Sequence, residues 1–134
     1  MAKKIAHLEA FNRLVKQLAS ALVQVYPDDD KICRIQKRIN LATSTAPFEL
    51  ADKAGPYLFE HRAAIYAGDS QYFVAAAGDA AERAAAAADD TAGYVIQKVV
   101  AAWAAMADSA ERDDIIGTVQ DMLDEYVEYR IHCA

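Results

Sequence analysis

LEAFNRLVKQLASALVQV, residues 8–25, is the stretch whose reading decides the fold. Leu8, Phe11, Val15, Leu18, Leu22 and Val25 recur at spacings of three and four, which lays them on one side of a 3.6-residue helix. Asn12, Arg13, Lys16 and Gln17 fall largely off that stripe, and neither Gly nor Pro interrupts it. The spacing predicts a long first helix on whose apolar side the later helices pack.

Outward from this segment, the composition agrees with helix. Alanine is abundant, the 134 residues include only 5 Gly and 3 Pro, and β-branched residues form no alternating runs. The expected class is all-α: a single domain over residues 1–134, built as a compact antiparallel bundle of five to six helices. Much of the 54% hydrophobic content is alanine, so the large apolar side chains must supply most of the cohesion.

Tyr26-Pro27 ends the first helix, and Asp28-Asp29-Asp30 offers an N-cap and an acidic first turn for the second. Ile32, Ile35 and Ile39 form the buried side of a helix expected to run to about Leu41, antiparallel to the first. Ala42–Thr45 reads as a break and Pro47 as the first turn of a third piece. Gly55-Pro56 reads as its stop. A fourth piece carries Tyr57, Phe59, Ile65 and Tyr66 and ends at Gly68 in a left-handed conformation. Asp69 is placed to cap a short turn through Tyr72 and Phe73. Residues 75–92 are alanine-rich and carry nothing large and apolar, so they read as a loosely packed segment. A helix beginning near Thr91–Tyr94 presents Tyr94, Ile96, Val99, Val100, Trp103 and Met106 as a broad apolar face, which implies a central or shared position. Asp108 and Glu111 read as a reciprocal cap. The last helix, about 110–132, lines Ile115, Val119, Met122, Tyr126 and Tyr129 on one side, with Gly117 marking close helix contact.

Charge is unevenly spread. The net charge of −6 divides into a surplus of +4 over residues 1–45 and a deficit of −10 over residues 46–134. An acidic chain argues against direct binding of duplex nucleic acid, since phosphate neutralisation drives such affinity. Cys33 and Cys133 match neither a disulfide framework nor a zinc pattern. No apolar run is long enough to cross a bilayer, and the N-terminus lacks the pattern of a cleaved signal. No cofactor or metal site is read. Glu125, Glu128 and His132 lie on successive turns, but they miss the Glu-x-x-His spacing of carboxylate-bridged metal pairs. A phosphate loop is not present, and Asp28–Asp30 lacks the glycine and glutamate of a calcium loop.

The strongest polar feature is the basic line Lys31, Arg34, Lys37 and Arg38 on the second helix, with Arg13 and Lys16 beside it. It suits an acidic protein surface or a nucleic-acid backbone, and equally an ordinary solvated face or a match to the acidic last helix of the same fold. Glu60-His61-Arg62 is the most enzyme-like triplet.

FNRLVKQLASALVQVYPDDDKI, residues 11–32, resembles the opening of a family of small helical proteins of large double-stranded DNA viruses, in which Phe-Asn leads an apolar helix into an aromatic-Pro-acid-Asp-x-x-Ile turn. PYLFEHRAAIYAGDSQYF, residues 56–73, is similar to a second block of that family, and Trp103 in the penultimate helix also fits. The alanine tract at 84–88 departs from it. The resemblance implies a helical fold and a viral setting, in the virion or the infected cell's cytoplasm, and carries over no catalytic residue. The expectation is therefore a non-enzymatic protein that works by protein contact, by self-association as a homodimer or with another protein. Lys31, Arg34, Lys37, Arg38, Tyr57, Tyr66, Tyr72 and Trp103 form its candidate surface. A nucleic-acid accessory role through the second helix and a small enzyme centred on His61 are the alternatives.

Overall fold

A computed structural model of the chain describes residues 2–45, 47–68, 72, 75, 76, 78, 79, 82, 90–105 and 110–133. Six helices of six residues or more lie among them, and no strand: α1 (Ala2–Val25), α2 (Asp30–Thr45), α3 (Pro47–Glu60), α4 (Arg62–Ala67), α5 (Asp90–Ala105) and α6 (Ala110–Cys133). The Asp69 cap, most of the alanine tract and the Asp108 cap fall outside the described residues.

α1 is the hub. It packs on α2, α3, α5 and α6, and its longest seam is with α6. Leu8, Phe11, Val15, Leu18 and Leu22 are buried from it, and Ile115, Val119, Met122, Leu123 and Tyr126 from α6. Each such side chain contributes about 1.5–3 kcal/mol on leaving water. The two helices run antiparallel. His7 touches Glu125 near one end, and Val25 shares a groove with Asp113 and Asp114 at the other. One position read on the stripe and one read off it differ from expectation. Val25 is 36% exposed, because it is the last residue of its helix and stands on the rim of that groove. Asn12 is buried, because it sits one turn after Leu8 and shares its face.

The turn after α1 is made as the residues predict. Tyr26 still bonds back to Leu22, and the backbone N–H of Asp29 closes on the Tyr26 carbonyl at 3.2 Å. Asp29 then caps α2, its Oδ1 accepting from the amides of Lys31 at 3.0 Å and Ile32 at 3.1 Å. Ser20 and Gln36 bond across the hairpin at 3.2 Å, so α2 lies antiparallel to α1. α2 does not stop near Leu41 but continues to Thr45. No Gly or Pro lies in residues 42–45, and the Thr43 hydroxyl bonds back to the Asn40 carbonyl at 3.0 Å, satisfying itself inside the helix.

The larger departure is at Gly55-Pro56, which does not end α3. An interior proline removes one helical hydrogen bond at a cost of about 3 kcal/mol. Burial offsets that cost: Ala51 and Leu58 are in the core on either side, and the ring of Tyr126 lies directly on Gly55. A Cβ at residue 55 would overlap that ring. The chain bends one turn later, at His61 (φ −106°, ψ 24°), and α4 ends at Gly68 (φ 62°), whose N–H bonds to the carbonyls of Ala64 and Ile65. α4 packs on α3 and α6, where Gln120 Nε2 donates to the Ile65 carbonyl at 2.9 Å. α5 buries Val99, Ala102 and Trp103.

The close approach assigned to Gly117 belongs instead to Gly55, since a Cβ at residue 117 meets nothing within 4 Å. Two single substitutions of the same kind therefore have opposite signs. Gly55→Ala should destabilise by about 1–3 kcal/mol through overpacking on Tyr126. Gly117→Ala should stabilise by roughly 0.5–1 kcal/mol through helix propensity. Urea unfolding of both variants checks the pair.

Candidate functional site

Three polar constellations stand on this frame. The first is the outer face of α2. Ile32, Ile35 and Ile39 turn inward, which leaves Arg34, Lys37, Arg38 and Leu41 exposed at spacings of three and four. Arg34 Nε reaches the Asp30 carbonyl of its own helix at 3.4 Å. Among the described residues, neither Arg34, Lys37 nor Arg38 is ion-paired with a carboxylate. α2 packs on α1 and α3, whereas α6 has its main contacts with α1, α3, α4 and α5. The acidic last helix is thus not the partner of the basic line. Lys31 leaves that line, its ammonium lying 4.2 Å from the centre of the Tyr94 ring. Arg13 and Lys16 line a separate groove along α1 to which, among the described residues, α2 contributes Thr43. A second groove, between the C-terminal half of α1 and the N-terminal half of α6, is walled by Asp113, Asp114 and Asp121 and has no side chain at Gly117.

The second constellation joins the α1–α2 turn to α5. While Asp29 Oδ1 caps α2, its Oδ2 accepts from the Tyr94 hydroxyl at 2.8 Å and faces Lys98 Nζ at 3.4 Å. The Lys98 ammonium also sits over the rings of Tyr26 and Tyr94, at 5.1 and 5.4 Å. The Tyr94 hydroxyl, the Ile32 amide and Lys98 together hold the Asp29 carboxyl below its ordinary range. Burial, then the bond to Asp29, pushes Tyr94 up. Burial pulls Lys98 down, but Tyr94, Asp29 and Tyr26 outweigh it and the net direction is up.

The third lies where the N-terminal part of α1 meets the end of α6. His7 Nδ1 is 2.7 Å from Glu125 Oε2, and the His7 and His132 rings are parallel within 6° at 5.5 Å. His132 Nε2 lies 3.6 Å from Glu128 Oε2, one turn away on the same helix. His7, Glu128 and His132 each offer a ligand atom within 4.8 Å of the others. Glu125, Glu128 and His132 share a stripe of α6 that sequence spacing could show. His7 comes from 118 residues upstream of Glu125, and nothing local announces it.

The remaining aromatic and histidine positions are scattered. Trp103 is 3% exposed, so it leaves the candidate surface; α5 buries it against the core, with the Arg112 guanidinium 4.0 Å over its ring. Of the broad face read on α5, Val99 and Trp103 are buried within one chain, Tyr94 and Val100 are half-buried, and the side chains of Ile96 and Met106 lie outside the described residues. Tyr57 is half-buried. Tyr66 is exposed but donates its hydroxyl to Asp124 at 2.5 Å, and burial with that bond pushes it up to about 12. Tyr72 is exposed. His61 sits in the α3–α4 turn, its Nε2 buried and without a hydrogen bond among the described residues. It lines neither described groove.

Fold and geometry together define a class: an all-α bundle with one basic outer face, one acidic groove and a His–Glu cluster at a helix junction. Compared with models of protein families, with curated proteins and with solved structures, the chain matches none.

Asp29 links three helices, and its effect on stability has a definite sign. A carboxyl held below its ordinary 3.8 contributes stability above that pH and loses it as pH falls through the lowered value. Asp29→Asn keeps a capping side chain and removes the charge. Its stability deficit should be present at neutral pH and shrink towards zero in strong acid. Denaturant titrations across the acid range check this.

Proposed function

We propose that this protein is a non-enzymatic viral contact protein, acting in the virion or in the infected cell, and that the outer face of α2 is its docking surface. The observation that carries this reading is the exposed row Arg34, Lys37 and Arg38, which no carboxylate among the described residues neutralises, with Leu41 continuing it at helical spacing. Such a row seeks an acidic surface. The surface of that kind on hand is the groove walled by Asp113, Asp114 and Asp121, so a second copy of the chain is the partner it fits. Two copies related by a two-fold axis place each α2 face in the other's groove, an arrangement that closes on itself. Complementary charge accelerates encounter and sets the register, and Leu41 adds apolar area at one end of the row. Burial of Trp103 rules that residue out as an anchor, so the contact is polar, and salt screens it within about 10 Å at 0.1 M.

Sedimentation equilibrium on the whole chain tests the proposal. The expected result is a concentration-dependent dimer at low salt that weakens as salt rises. It is lost in Arg34→Glu/Arg38→Glu and partly restored when that variant is mixed with Asp113→Lys/Asp114→Lys. A salt-independent monomer at tens of micromolar overturns it. So does low-salt binding of duplex DNA through the same arginines without self-association, which would assign the face to phosphate.

A further inference from the structure

We infer that His7, Glu128 and His132 form a site for one divalent transition-metal ion of the zinc type, which clamps the N-terminal part of α1 to the end of α6. This stands independently of the docking face on α2.

The donor set selects the ion. Two imidazole nitrogens and one carboxylate suit zinc and its neighbours, whereas magnesium and calcium prefer oxygen alone. Glu128 and His132 lie one helical turn apart, so both side chains leave the same stripe of α6. His7 reaches them from the other helix, and the three ligand atoms lie within 4.8 Å of one another. Two ligands on one tetrahedral ion, at bond lengths of about 2.0–2.1 Å, stand about 3.4 Å apart. The remaining closure falls to three side chains that are 22%, 51% and 33% exposed and have room to turn.

The ring geometry says which part must move. Imidazole lone pairs lie in the ring plane, and the planes of His7 and His132 are parallel within 6°. One ring has to rotate out of the stack for both to meet one ion.

Glu125 supplies the supporting contact. An ionised carboxylate only accepts, so His7 Nδ1 carries the proton in the 2.7 Å bond to Glu125 Oε2. The lone pair of neutral His7 is then on Nε2, the nitrogen free to ligate. A carboxylate behind a ligating histidine fixes its tautomer and strengthens it as a donor. Three protein ligands leave a fourth position for water. Because the site joins residue 7 to residues 128 and 132, occupancy closes almost the whole chain into a loop, so the ion favours the folded state over the unfolded one.

The test uses the full chain, freed of metal by chelator and titrated with zinc sulfate by calorimetry. Cobalt absorption serves as a second readout of coordination. One zinc per chain is expected. Affinity should fall by about tenfold or more in His7→Gln and in His132→Gln, by less in Glu125→Gln, and should be unchanged in Cys33→Ser and Cys133→Ser. Zinc should raise the melting temperature of the parent chain and not of the two histidine variants. Circular dichroism on each variant verifies that it is folded, and exposed His132 provides the change least coupled to the core. Absence of saturable binding at millimolar zinc overturns the site. So does an affinity unmoved in the doubly substituted His7→Gln/His132→Gln chain, or one abolished by Cys133→Ser, which would place the ion on the thiol.

Discussion

The apolar seam between α1 and α6 is the constraint on which the other features depend. Phe11, Leu22 and Leu123, the largest fully buried side chains among the described residues, all come from these two helices. Burial of this kind is strong but gives little direction; direction comes from the spacing of the two stripes, which lets the helices lie side by side over their length. Once they lie antiparallel, both ends of the molecule are set. The start of α1 must meet the end of α6, which brings His7 to Glu125, Glu128 and His132. The end of α1 must meet the start of α6, where Val25 and three aspartates border a groove.

Polar contacts decide how the remaining helices sit on that seam. Asp29 is the clearest case, since one carboxylate terminates the α1–α2 turn, caps α2 and receives Tyr94 and Lys98 from α5. The bond from Gln120 to the Ile65 carbonyl and that from Tyr66 to Asp124 perform the same task for α4, a helix with one buried residue of its own. Phe59 extends this pattern to the outside. Its ring tilts against Tyr126, and the guanidinium groups of Arg62 and Arg130 lie 4.3 and 4.4 Å from its centre. Alanine-rich helices offer small contact areas, so these directed contacts carry more of the specificity than they would in a core of larger side chains.

The division of charge along the chain becomes a division in space. The basic residues of α2 and the acidic residues of α6 are on separate helices that meet mainly through α1. Had α2 packed on α6, the opposite charges would have neutralised one another inside the fold. Kept apart, they leave a positive face and a negative groove on one molecule.

Periodicity and end signals made much of this legible. The Leu8–Leu22 stripe, the isoleucines of α2, the turn at Tyr26-Pro27, the cap within Asp28–Asp30, the left-handed Gly68 and the extent of α6 all arise from interactions within a few residues, which local sequence records. Gly55-Pro56 carries an equally local signal to stop, and there it loses, because the Tyr126 ring needs the space a glycine leaves and burial outweighs the missing hydrogen bond. The inward turn of Trp103 and the meeting of His7 with Glu125 and His132 belong to the same category. Sequence by itself determined an all-helical chain and the apolar side of its longest helices, since those follow from spacing along the backbone. Only the tertiary structure decided which glycine touches a ring, which aromatic is hidden and which charged groups converge, because those contacts join residues far apart in the chain and depend on how whole helices align.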